Sequence, residues 1–396
     1  MSLTPVESAV QERYSKAAER SEAALCCPVK YNPQYLRAIP TEVIEKDYGC
    51  GDPSQWLRPG ETVLDLGSGT GKIAFIASQV VGPSGKVIGI DMTDAMLEVA
   101  RRNAPIVAQA VGHANVEFRK GRIQDLQLDL DLLESELAGR PLAGSGAFLQ
   151  AMALADRLRR ERPLVPDGSV DVVVSNCVLN LVDPRDKQGL FREIARVLKP
   201  GGRAVISDIV SDEDIPLALQ QDPTLWSGCL SGALREDQFV RAFEEAGLVG
   251  VRILERDTDP WQTVEGIEFR SVTVEAFRAE PGPETDRLQA VIYRGPFREV
   301  IDDAGRRFRR GDRIAVSDRT FGALQREPFA SHFIPVPPRA GVGEVAEAAP
   351  AAPTVATPVA PSIWQEMGVR SPRQTKGAGF RLTTAASDCC GGGSCE

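Results

Sequence analysis

A chain of 396 residues with 42% apolar side chains can bury about two or three cores, and no run approaches the ~18 apolar residues of a membrane span. A formal charge of −9 argues against nucleic acid or an acidic membrane as partner. Two histidines, His113 and His332, are too few for a histidine-based metal site, which leaves eight cysteines as the chemical inventory. The charged start, with Glu7, Glu12, Arg13, Lys16 and Glu19, does not read as a signal peptide, so the thiols are expected to be reduced and the chain cytoplasmic.

Residues 1–25 read as one charged amphipathic helix. Val6, Val10, Tyr14 and Ala17 form its sparse apolar stripe, which needs a surface to pack on. Cys26-Cys27-Pro28 ends it, and Pro33 and Pro40 punctuate a loop and short helix over Tyr31 to Glu45. In Tyr48-Gly49-Cys50-Gly51-Asp52-Pro53, glycines on both sides of a cysteine predict a loop held in one shape.

Val63 to Leu66 has the look of a buried strand. Gly67, Gly69 and Gly71 follow on alternate positions, and Ile73, Ile76, Ala77 and Val80 then recur at helical spacing. A strand, a glycine turn and a helix put unpaired N–H groups and the positive end of a helix dipole at the end of a sheet. That arrangement suits a small anionic group. A P-loop is excluded, because Gly71-Lys72 is followed by Ile73, and the dinucleotide pattern fails by one residue because Lys72 stands where its third glycine belongs.

Lys86 to Ile90 reads as a second strand ending at Asp91, which stands 20 residues after Gly71 and suits two ribose hydroxyls. Met92 to Arg102 reads as the second crossover helix and Val116 to Arg119 as the third strand, with Gly121 to Asp125 at its carboxyl end. Leu128 to Pro166, polar with spaced leucines, predicts one or two inserted helices, either a solvated excursion on the sheet or a cover for a site or partner. Val170 to Ser175 is a fourth strand, buried on both faces, that runs into Asn176-Cys177-Val178-Leu179-Asn180-Leu181. A helix over Lys187 to Leu198, closed by Lys199-Pro200-Gly201-Gly202, precedes a fifth strand, Arg203 to Ile209. A third cysteine loop, Trp226-Ser227-Gly228-Cys229-Leu230-Ser231-Gly232, comes before a helix over Arg235 to Ala246. Val249 to Leu254 and Phe269 to Phe277 read as a closing strand pair. Alternating strands and helices argue a doubly wound parallel sheet with ligands at the strand carboxyl ends. From Gln289 to Val336 the pattern turns mainly β around the turn Asp303-Ala304-Gly305, and Gly341 to Ser362 is too poor in large apolar groups to fold. Cys389, Cys390 and Cys395 lie in the last eight residues.

The Gly67-x-Gly69-x-Gly71 spacing behind a strand carrying Asp65 resembles motif I of class I S-adenosylmethionine-dependent methyltransferases. Y-G-C-G, S-N-C-V-L-N-L and W-S-G-C-L-S-G-A-L closely resemble the three cysteine motifs of arsenite S-adenosylmethionine methyltransferases, over roughly residues 20 to 336. Ser227 departs from the family, which tends to have another small or acidic residue there. The implied fold is α/β, a doubly wound Rossmann-like class I methyltransferase sheet over 62–280, after an N-terminal helical and loop segment, 1–61. It carries a helical insert, 128–166, and an arsenic-binding loop, 224–234. A small mainly-β module, 288–337, and a disordered linker and Cys-rich tail, 341–396, follow it.

The resemblance implies that Tyr48, Asp65, Gly67, Ser68, Gly69, Gly71, Asp91, Met92, Ile123, Gln124, Asn176 and Val178 bind S-adenosyl-L-methionine, with the methionine carboxylate as the anion and Met92 on the adenine. It implies that Cys50, Cys177 and Cys229 hold arsenic(III) as thiolates. Cys26 or Cys27 serves as a fourth thiol, with a reduced thiol such as glutathione or thioredoxin reopening the disulfide left by methylation. Gln124 stands where the family often has an acid. Arsenite or its thiol conjugates are the implied substrates. The chemistry agrees, since trivalent arsenic is soft and three thiolates leave it one lone pair to take a methyl group. The tail thiols could load arsenic, bind a soft metal or lie idle. Two other readings stay open on the residues alone: a methyltransferase of an organic acceptor with structural cysteines, and an arsenic-binding protein without turnover. A nucleic-acid methyltransferase is disfavoured, because Asn176-Cys177-Val178-Leu179 lacks the Pro-Pro-aromatic run that holds a flipped base.

Overall fold

A computed structural model describes residues 5–19, 22, 29–46, 48–139, 143–280 and 285–337. Cys26, Cys27 and the 341–396 segment with Cys389, Cys390 and Cys395 lie outside the described residues. The chain forms two compact units that divide between Arg278 and Ala279.

In the first unit, α1 (Pro5–Glu19), α2 (Pro33–Leu36) and α3 (Thr41–Glu45) precede the first strand. Then β1 (Thr62–Leu66), α4 (Lys72–Val81), β2 (Lys86–Asp91), α5 (Asp94–Val111) and β3 (Val116–Lys120) alternate. The insert supplies two helices, α6 (Leu130–Leu137) and α7 (Gly144–Glu161). Its Leu154, Ala155 and Leu158 close a small core with Leu128, and Arg159 pairs with Asp125 at 2.9 Å, next to the carboxyl end of β3. Beyond it come β4 (Val170–Asn176), α8 (Pro184–Val197), β5 (Leu198–Ser211), α9 (Leu217–Gln220), α10 (Pro223–Ser227), β6 (Leu234–Arg235), α11 (Glu236–Glu245), β7 (Leu248–Arg256), β8 (Gln262–Val264) and β9 (Ile267–Arg278).

The sheet runs β3-β2-β1-β4-β5-β9-β7, with β1 to β5 parallel and β9 antiparallel to both β5 and β7. Strand period two sends alternate residues to opposite faces. Leu64, Leu66, Ile88 and Ile90 join one core with α8 and α11, whereas Val63, Val87, Val172 and Val174 join the other with α4 and α5. Strand order reverses between β1 and β4. Crevices for ligands open at that switch point, outside the carboxyl ends of the strands.

Two elements differ from the sequence pattern. The second crossover helix does not stop near Arg102 but passes through Pro105 to Val111. Burial of Val99, Ala100, Asn103 and Val107 on one face offsets the hydrogen bond that proline removes. Lys199-Pro200-Gly201-Gly202 is not a helix cap followed by a strand start. It is an irregularity inside β5, where pairing with β4 jumps from Leu198 to Arg203. Gly201 has φ 74°, and a Cβ on Gly202 would stand 2.8 Å from the Lys199 carbonyl, so both glycines are required.

In the second unit, β10 (Ala290–Tyr293), β13 (Arg313–Ala315) and β14 (Phe333–Val336) form one sheet, and β11 (Glu299–Ile301) with β12 (Arg307–Arg309) a hairpin. The turn at Asp302 to Gly305 is closed by the Asp302 carboxylate, which accepts from the N–H groups of Ala304 and Arg306. Val291, Tyr293, Phe308 and Phe333 form this unit's core, with Leu324 of α12 (Asp318–Leu324).

Phe243 is fully buried on α11, edge-on to Phe191 at 4.9 Å and to Phe239 at 5.3 Å. Phe243→Ala is expected to lower the unfolding free energy of the large unit by about 3–5 kcal/mol in a denaturant titration, through lost burial and the cavity left behind.

Candidate active site

The residues that follow β1, β2, β3 and β4 meet over one cleft, with an empty volume of about 930 Å³ open on one side. Gly67, Gly69 and Gly71 all have positive φ. A Cβ on Gly67 would run into the Val178 side chain, whereas Gly69 has open space above it. The Gly69 N–H donates to Asp91 Oδ2 at 2.9 Å and Thr93 N–H to Oδ1 at 2.8 Å, which aims the carboxylate into the cleft. Burial holds Asp91 above the ordinary carboxylate range despite these donors. Ser68 is buried, and its hydroxyl, on the cleft wall, has no hydrogen-bond partner among the described residues. A buried polar group in that condition calls for a ligand to complete it.

Cys177 lines the same cleft, immediately after β4. Cys50, Cys177 and Cys229 are buried, outside any disulfide, in one apolar cluster with Leu181, Ile209 and Phe269. The sulfurs of Cys50 and Cys177 and a carboxylate oxygen of Asp208 lie within 4.8 Å of one another. Cys229 borders this group, and its S–H donates to the Cys177 carbonyl at 3.1 Å. Cys177 and Cys229 both sit at φ 63°, a strained conformation for a residue with a side chain, of the kind that gathers at functional sites.

Asn176 explains the glycines around Cys50. Its side-chain oxygen accepts from the N–H groups of Cys50 at 2.9 Å and Gly51 at 3.0 Å, and its amide donates to the Gly51 carbonyl at 2.7 Å. A Cβ on Gly49 would collide with that side chain, and one on Gly51 would stand 2.6 Å from Ser207. Asp208 does the same for the other two cysteine loops. Its carboxylate accepts from the backbone of Leu179, Asn180 and Ile209 and from the Asn180 amide. Asn180 also donates to the Cys229 carbonyl at 3.3 Å. Lys187, buried, donates to the Gly232 carbonyl and lies 5.9 Å from the Trp226 ring centre. Burial pulls its amine down to about 8, against the attraction of Asp208 and Cys229.

The profile of a methyltransferase domain matches residues 57–160 and 151–247, and that of a domain of unknown function matches 280–380. An arsenite methyltransferase of Aquipseudomonas alcaligenes is 34% identical over 83% of this chain and 90% of its own length. The chain belongs to the arsenite methyltransferase family. The mouse arsenite methyltransferase is 30% identical over 77% of this chain and 76% of its own. The crystal structure of an arsenic(III) S-adenosylmethionine methyltransferase from Chlamydomonas reinhardtii covers 82% of this chain with TM-score 0.53 and 30% identity, and is itself covered in full.

Within this arsenite methyltransferase fold, Tyr48, Asp65, Gly67, Ser68, Gly69, Asp91, Met92, Ile123, Gln124, Asn176 and Val178 all line the cleft. Gly71 does not; it precedes α4 with φ 96°. Tyr14 and Lys46 also line it. Tyr14 has its hydroxyl 3.9 Å from the Cys229 sulfur, and burial, then Cys229 and Cys177, hold that hydroxyl well above its ordinary pKa. Arg13 on the same helix donates to the Thr224 carbonyl and to the Ser227 hydroxyl, so α1 braces the helix that leads into Cys229. The Ser227 hydroxyl is thus an acceptor for α1. Cys229 follows the carboxyl end of α10.

Burial pushes Asp208 up to about 6, above the ordinary ~3.9 of a free carboxyl. Between those values the folded chain keeps a proton that the unfolded chain has lost. This group therefore favours folding at low pH, and that stability is lost as pH rises from about 4 to about 6. Relative to wild type, Asp208→Asn is expected to gain unfolding free energy across that window. A difference that stays flat between pH 4 and 7 in parallel denaturant titrations would count against the assignment.

Proposed function

We propose that this protein moves methyl groups from S-adenosylmethionine to trivalent arsenic bound by the thiolates of Cys50, Cys177 and Cys229. The observation that carries the reading is Cys177. It belongs at once to the thiol cluster and to the wall of the cleft built by the glycine turn and Asp91.

The cleft fits the methyl donor on its own terms. Asp91 suits ribose hydroxyls, Met92 and Ile123 offer apolar contact to a base, and the unpartnered Ser68 hydroxyl, beside the open space left by Gly69, suits an amino-acid carboxylate. When bound, S-adenosylmethionine supplies an electrophilic methyl group on a sulfonium sulfur. The chain's task is to present a nucleophile to it. Each thiol that binds arsenous acid gives its proton to a departing hydroxide, which leaves as water. Three As–S bonds leave arsenic a lone pair, and orientation of that pair supplies most of the catalysis. The apolar surround of Leu181, Ile209 and Phe269 keeps water from competing. Methylation raises arsenic formally to the pentavalent state. Two thiolates that return two electrons become a disulfide, which an external thiol such as glutathione or thioredoxin reopens by exchange. Cys26 or Cys27 is the further thiol of this cycle. Buried cysteines outside disulfides at 50, 177 and 229 suit a reducing compartment, the cytoplasm. Among the described residues no helix is long and apolar enough to cross a membrane.

Arsenic speciation by mass spectrometry, after incubation with arsenite, S-adenosylmethionine and a thiol, tests the reading. Methylated arsenicals are the expected product; unchanged arsenite from protein that binds both ligands overturns it. Cys50→Ser, Cys177→Ser and Cys229→Ser are each expected to lower turnover at least about 100-fold, with donor affinity retained. Gly67→Ala, strained at φ 66° and blocked by Val178, is expected to weaken S-adenosylmethionine binding about tenfold by calorimetry while arsenic capture persists.

A further inference from the structure

The apolar stripe of α1 packs on two groups. Val10 and Tyr14 lie against the cluster that holds Cys50, Cys177 and Cys229, and Tyr14, Ala17 and Ala18 lie against Tyr48 and Met96 of the cleft wall. Tyr14 belongs to both, and its ring meets that of Tyr48 edge-on, with centres 6.2 Å apart. Polar contacts pin the helix on each side. The Tyr48 hydroxyl donates to the Ala17 carbonyl at 3.2 Å and accepts from the Glu22 N–H at 2.9 Å. Arg13 donates to the Thr224 carbonyl at 3.0 Å, to the Ser227 hydroxyl at 2.9 Å and to Glu22 at 2.9 Å. α1 is therefore fixed between the wall of the cleft and the helix that leads into Cys229, and Tyr14 stands where the two meet.

The Tyr14 hydroxyl is 3.9 Å from the Cys229 sulfur. The proton of that sulfur is committed, since its S–H donates to the Cys177 carbonyl at 3.1 Å. The sulfur is therefore the acceptor and the Tyr14 hydroxyl the donor, and a phenol keeps its proton near neutral pH. Capture of arsenous acid exchanges an As–O bond for an As–S bond, and the thiol proton leaves with the departing hydroxide as water. No electron changes hands. The bond from Cys229 to the Cys177 carbonyl ends with that proton. The bond from Tyr14 gains, because hydrogen bonds to an ionised acceptor are shorter and about twice as strong as neutral ones.

Resting on the proposed function, we infer that Tyr14 is a positioning residue: its hydroxyl holds the Cys229 sulfur once the thiol proton has left, and so keeps the third thiolate on arsenic at the wall of the methyl-donor cleft. The role needs the hydroxyl, whereas packing on Tyr48 needs only the ring. Tyr14→Phe separates the two.

The test is the affinity of the full chain for arsenite without S-adenosylmethionine. Protein and arsenite are equilibrated with graded dithiothreitol as competing dithiol, and the arsenic retained after gel filtration is read by elemental mass spectrometry. Tyr14→Phe is expected to lower the dithiothreitol concentration that strips half of the arsenic about tenfold. Its affinity for S-adenosylmethionine by calorimetry is expected to stay within about twofold of wild type, a readout that a general loss of packing would move. In a Cys229→Ser background, where two thiolates remain for arsenic, Tyr14→Phe is expected to change retention by less than about twofold. Retention in Tyr14→Phe equal to that of wild type, or a loss of the same size in the Cys229→Ser background, overturns the inference and leaves methylation untouched. Retention that depends on the Tyr14 hydroxyl in a chain that methylates nothing sinks the proposed function and leaves the inference standing. Failure of the wild-type chain to retain arsenic sinks both.

Discussion

At Asp208 burial and hydrogen bonding oppose each other, and the site depends on how that opposition is resolved. Removing a carboxylate from water costs several kcal/mol unless its oxygens are satisfied. Three backbone N–H groups and the Asn180 amide do so here, and three of these four donors belong to the segment just after Cys177. Asn180 relays the constraint to Cys229 through its carbonyl. The desolvation that raises the carboxyl toward neutrality thus sits where two strained cysteines need their backbones held. A buried Lys187 supplies the compensating charge nearby, itself pulled down by the same desolvation.

Asn176 imposes a second constraint of the same kind with a neutral group. Its amide reads both the N–H and C=O of the Cys50 loop, the pattern of a short strand pair. It also donates to the Tyr31 hydroxyl, and Lys72 stacks over the Tyr31 ring at 4.1 Å. The start of α4, directly behind the glycine turn, is thereby coupled to the loop carrying a thiol. The glycine turn and the Cys50 loop are thus joined by one connected set of polar contacts.

The family's chemistry needs both a nucleophile and an electrophile delivered to a dry place. The cleft lies at the switch point between β1 and β4, as the doubly wound topology dictates. The buried thiol cluster borders it through Cys177.

By itself the sequence determined the features encoded by neighbours along the chain. Apolar runs broken by glycine gave the parallel strands and crossover helices. The Gly67, Gly69 and Gly71 turn with Asp91 marked the place of the cleft. Cysteines flanked by glycine at 50 and 229, and by Asn176 at 177, marked the thiols. Such features are local because backbone conformation and strand period act over a few residues. Only the tertiary structure decided that Asp208 joins Cys50 and Cys177, that Tyr14 of the first helix reaches Cys229, and that Lys187 loses its water. An aspartate at a strand end, a tyrosine in an amphipathic stripe or a lysine in a helix looks ordinary in sequence. Their effect here comes from burial and from partners up to 215 positions away, as between Tyr14 and Cys229. The same holds for Pro105, which closes a helix by local rule and is carried through by the packing of Val99 and Val107 on the sheet.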